Sequence, residues 1–232
     1  MALCASRRSV VLSFAAAAVL AAAGCGHRTP PPPKPVLTRI QVLPVTSPDR
    51  FYTYNNLVAG LLWASIANRV KTNLFDEKME AERKAMGPKM TSALIDALRE
   101  QGYEAEVIAV PSGYKDADYV DVTRLPTRDP VLYVQFGETG MDSGRLSSYY
   151  LPRVNIGATL SAPDSGDTLF STSLYYGADA SGNGAWSIEA EPRFRFPNFD
   201  ALMERTPDVI ESYDTGMRLM ARRVAQQLKK DY

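Results

Sequence analysis

"RVNIGATLSAPDSGDTLFSTSLYY", residues 153–176, decides the fold. Val154, Ile156, Ala158 and Leu160 alternate with Asn155, Gly157, Thr159 and Ser161. A period of two marks a strand with one apolar face. "PDSGD" (163–167) is turn chemistry, and Phe170, Leu174 and Tyr176 then resume the alternation. Two such runs around a short turn make an antiparallel hairpin, and its apolar face needs a covering layer.

The C-terminal stretch "TPDVIESYDTGMRLMARRVAQQLKKDY" supplies that layer. Thr206, Pro207 and Asp208 read as N-cap, first-turn proline and dipole-favourable acid. Ile210, Tyr213, Met217, Val224 and Leu228 form one apolar stripe, and Arg222, Arg223, Lys229 and Lys230 suit the helix end. Upstream, "LTRIQVLPV" (37–45) predicts a strand with Thr38, Ile40 and Val42 inward. In "NNLVAGLLWASIANRV" (55–70), Val58, Leu62, Ile66 and Val70 recur every four residues. That stripe predicts a helix continuing to Gly87-Pro88, buried in the domain or against a neighbouring subunit. Pro88 would open the next helix, with Met90, Leu94, Ile95 and Leu98 inward and Gly102 as its stop. "YEAEVIAV" (103–110) predicts a strand with Ala105, Val107 and Ala109 on one face, and "PVLYVQF" (130–136) a buried one. The class is α+β, a two-layer α/β arrangement. It has a mixed sheet of about five strands with an antiparallel hairpin, helices on one side and a long C-terminal helix.

Residues 1–24 carry Arg7 and Arg8, no acid, and an apolar run too short to cross a bilayer. A basic start, a short apolar middle and small residues at the end describe a signal peptide. Ala22-Ala23-Gly24-Cys25 resembles the lipobox of bacterial lipoproteins. The resemblance implies cleavage after Gly24, acylation of Cys25 and, with Gly26 following, an outer-membrane destination. The structural alternative is a secreted protein with a leftover thiol. "HRTPPPPKP" (27–35) then reads as a semi-rigid stalk in polyproline II, or as an SH3-type ligand. The expected organisation is signal peptide 1–24, lipidated cysteine and stalk 25–35, and a single domain 36–232.

Removing 1–24 takes two of 26 basic residues and none of 26 acids, so the remaining chain carries a net charge of −2. No basic excess points to nucleic acid. The only cysteines are Cys4 and Cys25 and the only histidine is His27. Residues 36–232 therefore hold no thiol nucleophile, no Ser-His-Asp triad and no His/Cys zinc site. Neither metal nor cofactor is expected.

Anchor, stalk, "RIQVLPV", a helix ending at Gly-Tyr, "PVLYVQF", the hairpin at "DSGD" and the closing helix form an order of elements. It resembles envelope lipoproteins of the curli-secretion and penicillin-binding-protein-activator type, with the fold of the TolB N-terminal domain. The resemblance implies a non-catalytic protein that binds or helps assemble an envelope complex, facing the periplasm, with a homo-oligomer as one form. It departs from the curli pore in "GETGMDSGRLSSYYLPR" (137–153), read as a polar linker rather than a membrane-spanning hairpin.

The candidate contact segment is "AWSIEAEPRFRFPNFDAL" (185–202). Trp186, Arg193, Phe194, Arg195, Phe196 and Phe199 are the candidate partner-binding residues, being of the types enriched in interface hot spots. Glu189 and Glu191 keep a second reading open, a carboxylate-dependent enzyme on envelope glycan. Tyr149-Tyr150 and Tyr175-Tyr176 are further contact candidates.

Overall fold

The computed structural model describes residues 36–55, 61–110, 121–143, 149–180 and 184–231, without the side chains of 61–65 and 185. Residues 36–232 form one compact unit. The expected signal peptide, Cys25 and the stalk lie outside the described residues. In chain order the elements are β1 (Arg39–Val42), β2 (Tyr52–Asn55), α1 (Leu61–Lys78), α2 (Glu80–Glu100), β3 (Glu104–Val107), β4 (Val131–Ser143), β5 (Tyr150–Ser161), β6 (Thr168–Gly177), β7 (Ser187–Ile188), α3 (Phe199–Glu204) and α4 (Thr206–Asp231).

The sheet is mixed and seven-stranded, ordered β3-β1-β4-β5-β6-β7, with β2 paired to the far half of β4. The hairpin forms as its sequence dictates, from Arg153 opposite Gly177 to Ser161 opposite Thr168. Val154, Ile156, Ala158, Leu160, Leu174 and Tyr176 are buried beneath α4, together with Tyr213, Met217, Met220, Val224 and Leu228. α2 lies beside α4 on the same face, buries Met90, Leu94 and Leu98, and is tied to α4 by Lys89. The Lys89 ammonium reaches Glu82 at 2.7 Å and Asp214 at 2.8 Å. The α+β class, the mixed sheet and the long closing helix are as the sequence predicts.

Several expectations are corrected. The linker 137–153 is largely strand: β4 runs on to Ser143 past a register shift between Phe136 and Thr139, and β5 begins at Tyr150. Polar residues mask this continuation: Glu138, Thr139, Asp142 and Ser143 lie on β4, and Arg153 on β5. Ile108 is buried in a small second cluster with Leu43, Leu125 and Val131, whereas Val107 and Ala109 are exposed. Thr206 does not cap α4; its hydroxyl donates to the Met203 carbonyl at 2.9 Å.

The helix break falls at Met79 rather than at Gly87, and Pro88 sits inside α2. Proline has no N–H for the Lys84 carbonyl four residues back. The Ser47 hydroxyl fills that place at 2.8 Å and accepts from Gly87 N–H at 3.0 Å. Gly87 is required by this contact, since a Cβ there would stand 2.3 Å from the Val45 carbonyl oxygen.

The apolar stripe of α1 is corrected too. Val58 lies outside the described residues, the side chain of Leu62 is not described, and Ile66, Val70 and Leu74 are about half exposed. Thr72, Phe75 and Met79 face inward instead. β2 has an unpaired edge, and α1 satisfies it. The N–H groups of Phe51, Thr53 and Asn55 donate to Asp76 (2.8 Å), Thr72 (3.0 Å) and Asn68 (3.3 Å). Four residues of helix rise about as far as two residues of strand, so the three acceptors match alternate amides. Backbone donors leaving water need partners, and that requirement fixes which side of α1 faces the sheet.

Candidate functional site

The strap between β6 and α3 is held to the sheet at two points. Ser187 and Ile188 pair in parallel with Tyr175 and Tyr176. A turn over Pro192–Phe194 follows, and Phe196 then exchanges backbone hydrogen bonds with Tyr150 at 2.8 and 3.0 Å. Phe194 and Phe196 are fully buried core residues. The expectation that they join a contact surface is therefore corrected: the turn ends on an inward Phe194, and the extended residues after it turn Arg195 out and Phe196 in. Phe199 is half-buried and meets the Tyr150 ring edge-on at 6.4 Å. Trp186 remains 47% exposed. Tyr150 and Tyr176 are core residues, and Tyr149 is exposed.

The two strap arginines differ. Arg193 bridges Glu191 at 2.7 Å and Glu211 at 2.8 Å, and its guanidinium lies 4.3 Å from the Phe194 ring centre. Those two carboxylates, Glu211 foremost, push its pKa further up. Arg205 supports the strap from below, donating to the Arg193 carbonyl and packing 4.9 Å from the Phe196 ring centre. Arg195 is exposed, and among the described residues it has no ion-pair partner. Glu191 is committed to Arg193, while Glu189 is exposed and likewise unpaired among the described residues.

Behind Glu189 and Arg195 lies a cavity of about 170 Å³ floored by Leu151, Ala178, Ala180 and Ala190. Gly177 completes the wall with φ +80°, and a Cβ there would lie 1.8 Å from the Pro152 carbonyl oxygen. Only glycine combines that backbone with that approach. The turn after Gly177 is held by Asp179, whose carboxylate takes a fork from Arg153 at 2.6 and 2.8 Å and a third bond from Asn155 at 2.6 Å.

Arg153 is the centre of the open sheet face, the face away from α2 and α4. It also meets Glu138 at 2.8 Å and Asp142 at 3.2 Å. Burial raises the Asp142 pKa in spite of Arg153. Burial would raise Asp179 as well, but the bonds from Arg153 and Asn155 outweigh it and its pKa is lowered. Within the sheet Arg153 stands between Gly140 and Gly177, and Tyr52 lies opposite Gly140. Tyr52 and Tyr54 are about 40% exposed, stack at 6.1 Å, and carry Arg50 over the Tyr52 ring. Sequence reading missed this cluster, since Glu138, Asp142, Arg153 and Asp179 sit on three separate segments. The only local signal was an arginine beginning the outward-facing set of β5. Among the described residues no group of three or more His, Cys, Asp or Glu side chains is arranged to hold a metal, and no helix is long and apolar enough to cross a membrane.

No protein-family model and no curated protein matches the chain. Solved structures similar to it include protein XCC0632 from Xanthomonas campestris, of family model DUF330. It shares 10% identity over 88% of this chain and 90% of that one, with a TM-score of 0.44. Lipoprotein GNA1162 from Neisseria meningitidis shares 18% identity over 60% of this chain and 81% of that one (TM-score 0.32). A PelC dodecamer from Paraburkholderia phytofirmans shares 14% identity over 60% of this chain and 71% of that one (TM-score 0.30). At these scores none of them assigns a function to this chain.

Proposed function

We propose that the protein is a non-enzymatic lipoprotein, anchored by acylated Cys25 to the outer membrane and facing the periplasm. On this reading it binds or helps assemble an envelope protein complex, as the resemblance to curli-secretion and penicillin-binding-protein-activator lipoproteins implies. The observation that carries the binding reading is the strap: a segment riveted by two buried phenylalanines presents Trp186 outward together with Arg195, which has no ion-pair partner among the described residues. A preorganised segment of this kind loses little entropy on binding. The stacked Tyr52-Tyr54 pair on the open face, and Ile66, Val70 and Leu74 on α1, extend the surface available to a protein partner. Against the glycan-cleaving alternative, Glu191 is already paired with Arg193 at 2.7 Å. Crosslinking of the native protein in membranes, followed by capture, tests the reading. Trp186→Ala with Arg195→Ala should deplete a specific envelope protein from the capture, and an unchanged set of captured proteins would overturn it.

A further inference from the structure

The strap carries two opposite charges that do not close on each other. Two residues apart on the same segment, Arg193 and Glu191 pair at 2.7 Å. Glu189 and Arg195 instead face the same cavity with no ion pair between them. Exposed side chains of this length pair readily when their heads can meet, so the gap is set by the strap's course. That course is fixed by the pairing of Ile188 with Tyr176 at one end and of Phe196 with Tyr150 at the other.

The two charges share that cavity with small apolar side chains. Leu151, Ala178, Ala180 and Ala190 line about 170 Å³, which admits a small aliphatic side chain. We propose that this pocket binds a carboxylate carried beside an N–H and a small apolar side chain. That is the chemistry of an alanine-like free amino acid and of a peptide's C-terminal residue. The guanidinium of Arg195 takes the carboxylate as a fork, Glu189 accepts from the N–H, and the methyl group enters the alanine-lined floor. The inference names what the proposed contact surface reads, and it rests on that surface being a binding surface.

The test uses the purified full chain in detergent, with ligand-observed NMR titrations of N-acetylalanine, alanine and N-acetylalanine amide. So few ligand atoms imply a dissociation constant in the millimolar range. N-acetylalanine should bind, with the amide at least about tenfold weaker, because a charged hydrogen-bond pair is lost. Arg195→Gln should lose about tenfold or more, whereas Arg193→Gln should stay within about twofold. Ala178→Leu, which fills the floor without touching either charge, should abolish binding. Binding of alanine as strong as that of N-acetylalanine assigns the site to a free amino acid; binding of the acetylated form alone assigns it to a peptide end. The proposal falls if the amide matches the acid, if Arg195→Gln binds normally, or if neither acid binds. If neither acid binds and membrane capture still depends on Trp186 and Arg195, the contact surface survives and the pocket ligand does not.

Discussion

Arg153→Met isolates the electrostatics that hold the pocket wall. Methionine keeps the apolar stem and removes the charge from among Asp179, Asp142 and Glu138. Glu138 is mostly exposed, with 62% of its side chain accessible, so its pair contributes little. Asp179 and Asp142, at 23% and 11%, lose a charged fork and one further contact. Stripping one partner from a fully buried pair costs about 3–5 kcal/mol, and this partly open site reduces that to about 2–3 kcal/mol at pH 7. The pH dependence distinguishes charge from packing. The lowered pKa of Asp179 contributes stability above the ordinary aspartate value, about 3.9, and that contribution is lost as pH falls through the lower folded value. Asp142 works in the opposite sense: its raised pKa favours the native state at low pH, and the advantage is lost as pH rises through the folded value. Without Arg153 both carboxylates are penalised when ionised, so the deficit should shrink to about 1 kcal/mol or less near pH 3.5. Urea unfolding of wild type and variant at pH 7, 5 and 3.5 measures it. A deficit equal at all three pH values would show that Arg153 acts through packing, and the account of the wall would be wrong.

Further outcomes follow from single contacts. Thr72→Val preserves shape and leaves the buried Thr53 N–H without its acceptor. It should cost about 1–3 kcal/mol in urea unfolding, and a cost near zero would refute the role of α1 as the edge partner of β2. Gly87→Ala forces a Cβ into the Val45 carbonyl at 2.3 Å and should lower stability by about 1–3 kcal/mol or more, with the loss seen as a lower Tm. Arg195→Ala should leave Tm nearly unchanged, as expected for an exposed residue without an ion-pair partner among the described residues; a large drop in Tm would make the strap arginine structural. Cys25→Ser should block lipidation and leave an unprocessed precursor; metabolic labelling with a palmitate analogue checks it, and a mature unlabelled wild-type protein would remove the anchor from the proposal.

How far the fold was legible depends on which interaction decides each element. The hairpin 153–176 and α4 follow from periodicity, because one face of each is buried over its whole length and side-chain alternation records that burial directly. β7 spans two residues, too short for any period to register, and the one buried position of β2 is the polar Thr53. α1 is the instructive failure. Its apolar residues repeat correctly for a helix, yet the face that meets the sheet is chosen by Asn68, Thr72 and Asp76, which accept from the β2 backbone. Hydrophobic periodicity cannot report a face selected by backbone amides. Pro88 misled for a related reason: Ser47, far away in sequence, compensates for the missing N–H and lets the helix continue.

The strap shows where the candidate site was legible and where it was not. "RFRFP" (193–197) alternates charged and aromatic residues, and the phenylalanines are the buried set and the arginines the outward one, across a turn that ends at Phe194. What no local pattern contains is the difference between the two arginines. It depends on Glu211, carried by α4, which joins Glu191 in holding Arg193 against the strap. The nearest carboxylate in sequence to Arg195 is also Glu191, which is already engaged, and Glu189 stands across the cavity. The helix that completes the core therefore also decides which of two neighbouring arginines is left for a ligand or partner. A single charge reversal at Glu211 should release Arg193 from that side while leaving the pocket as it is. Binding measured with Glu211→Lys should accordingly track Arg195 and not Arg193.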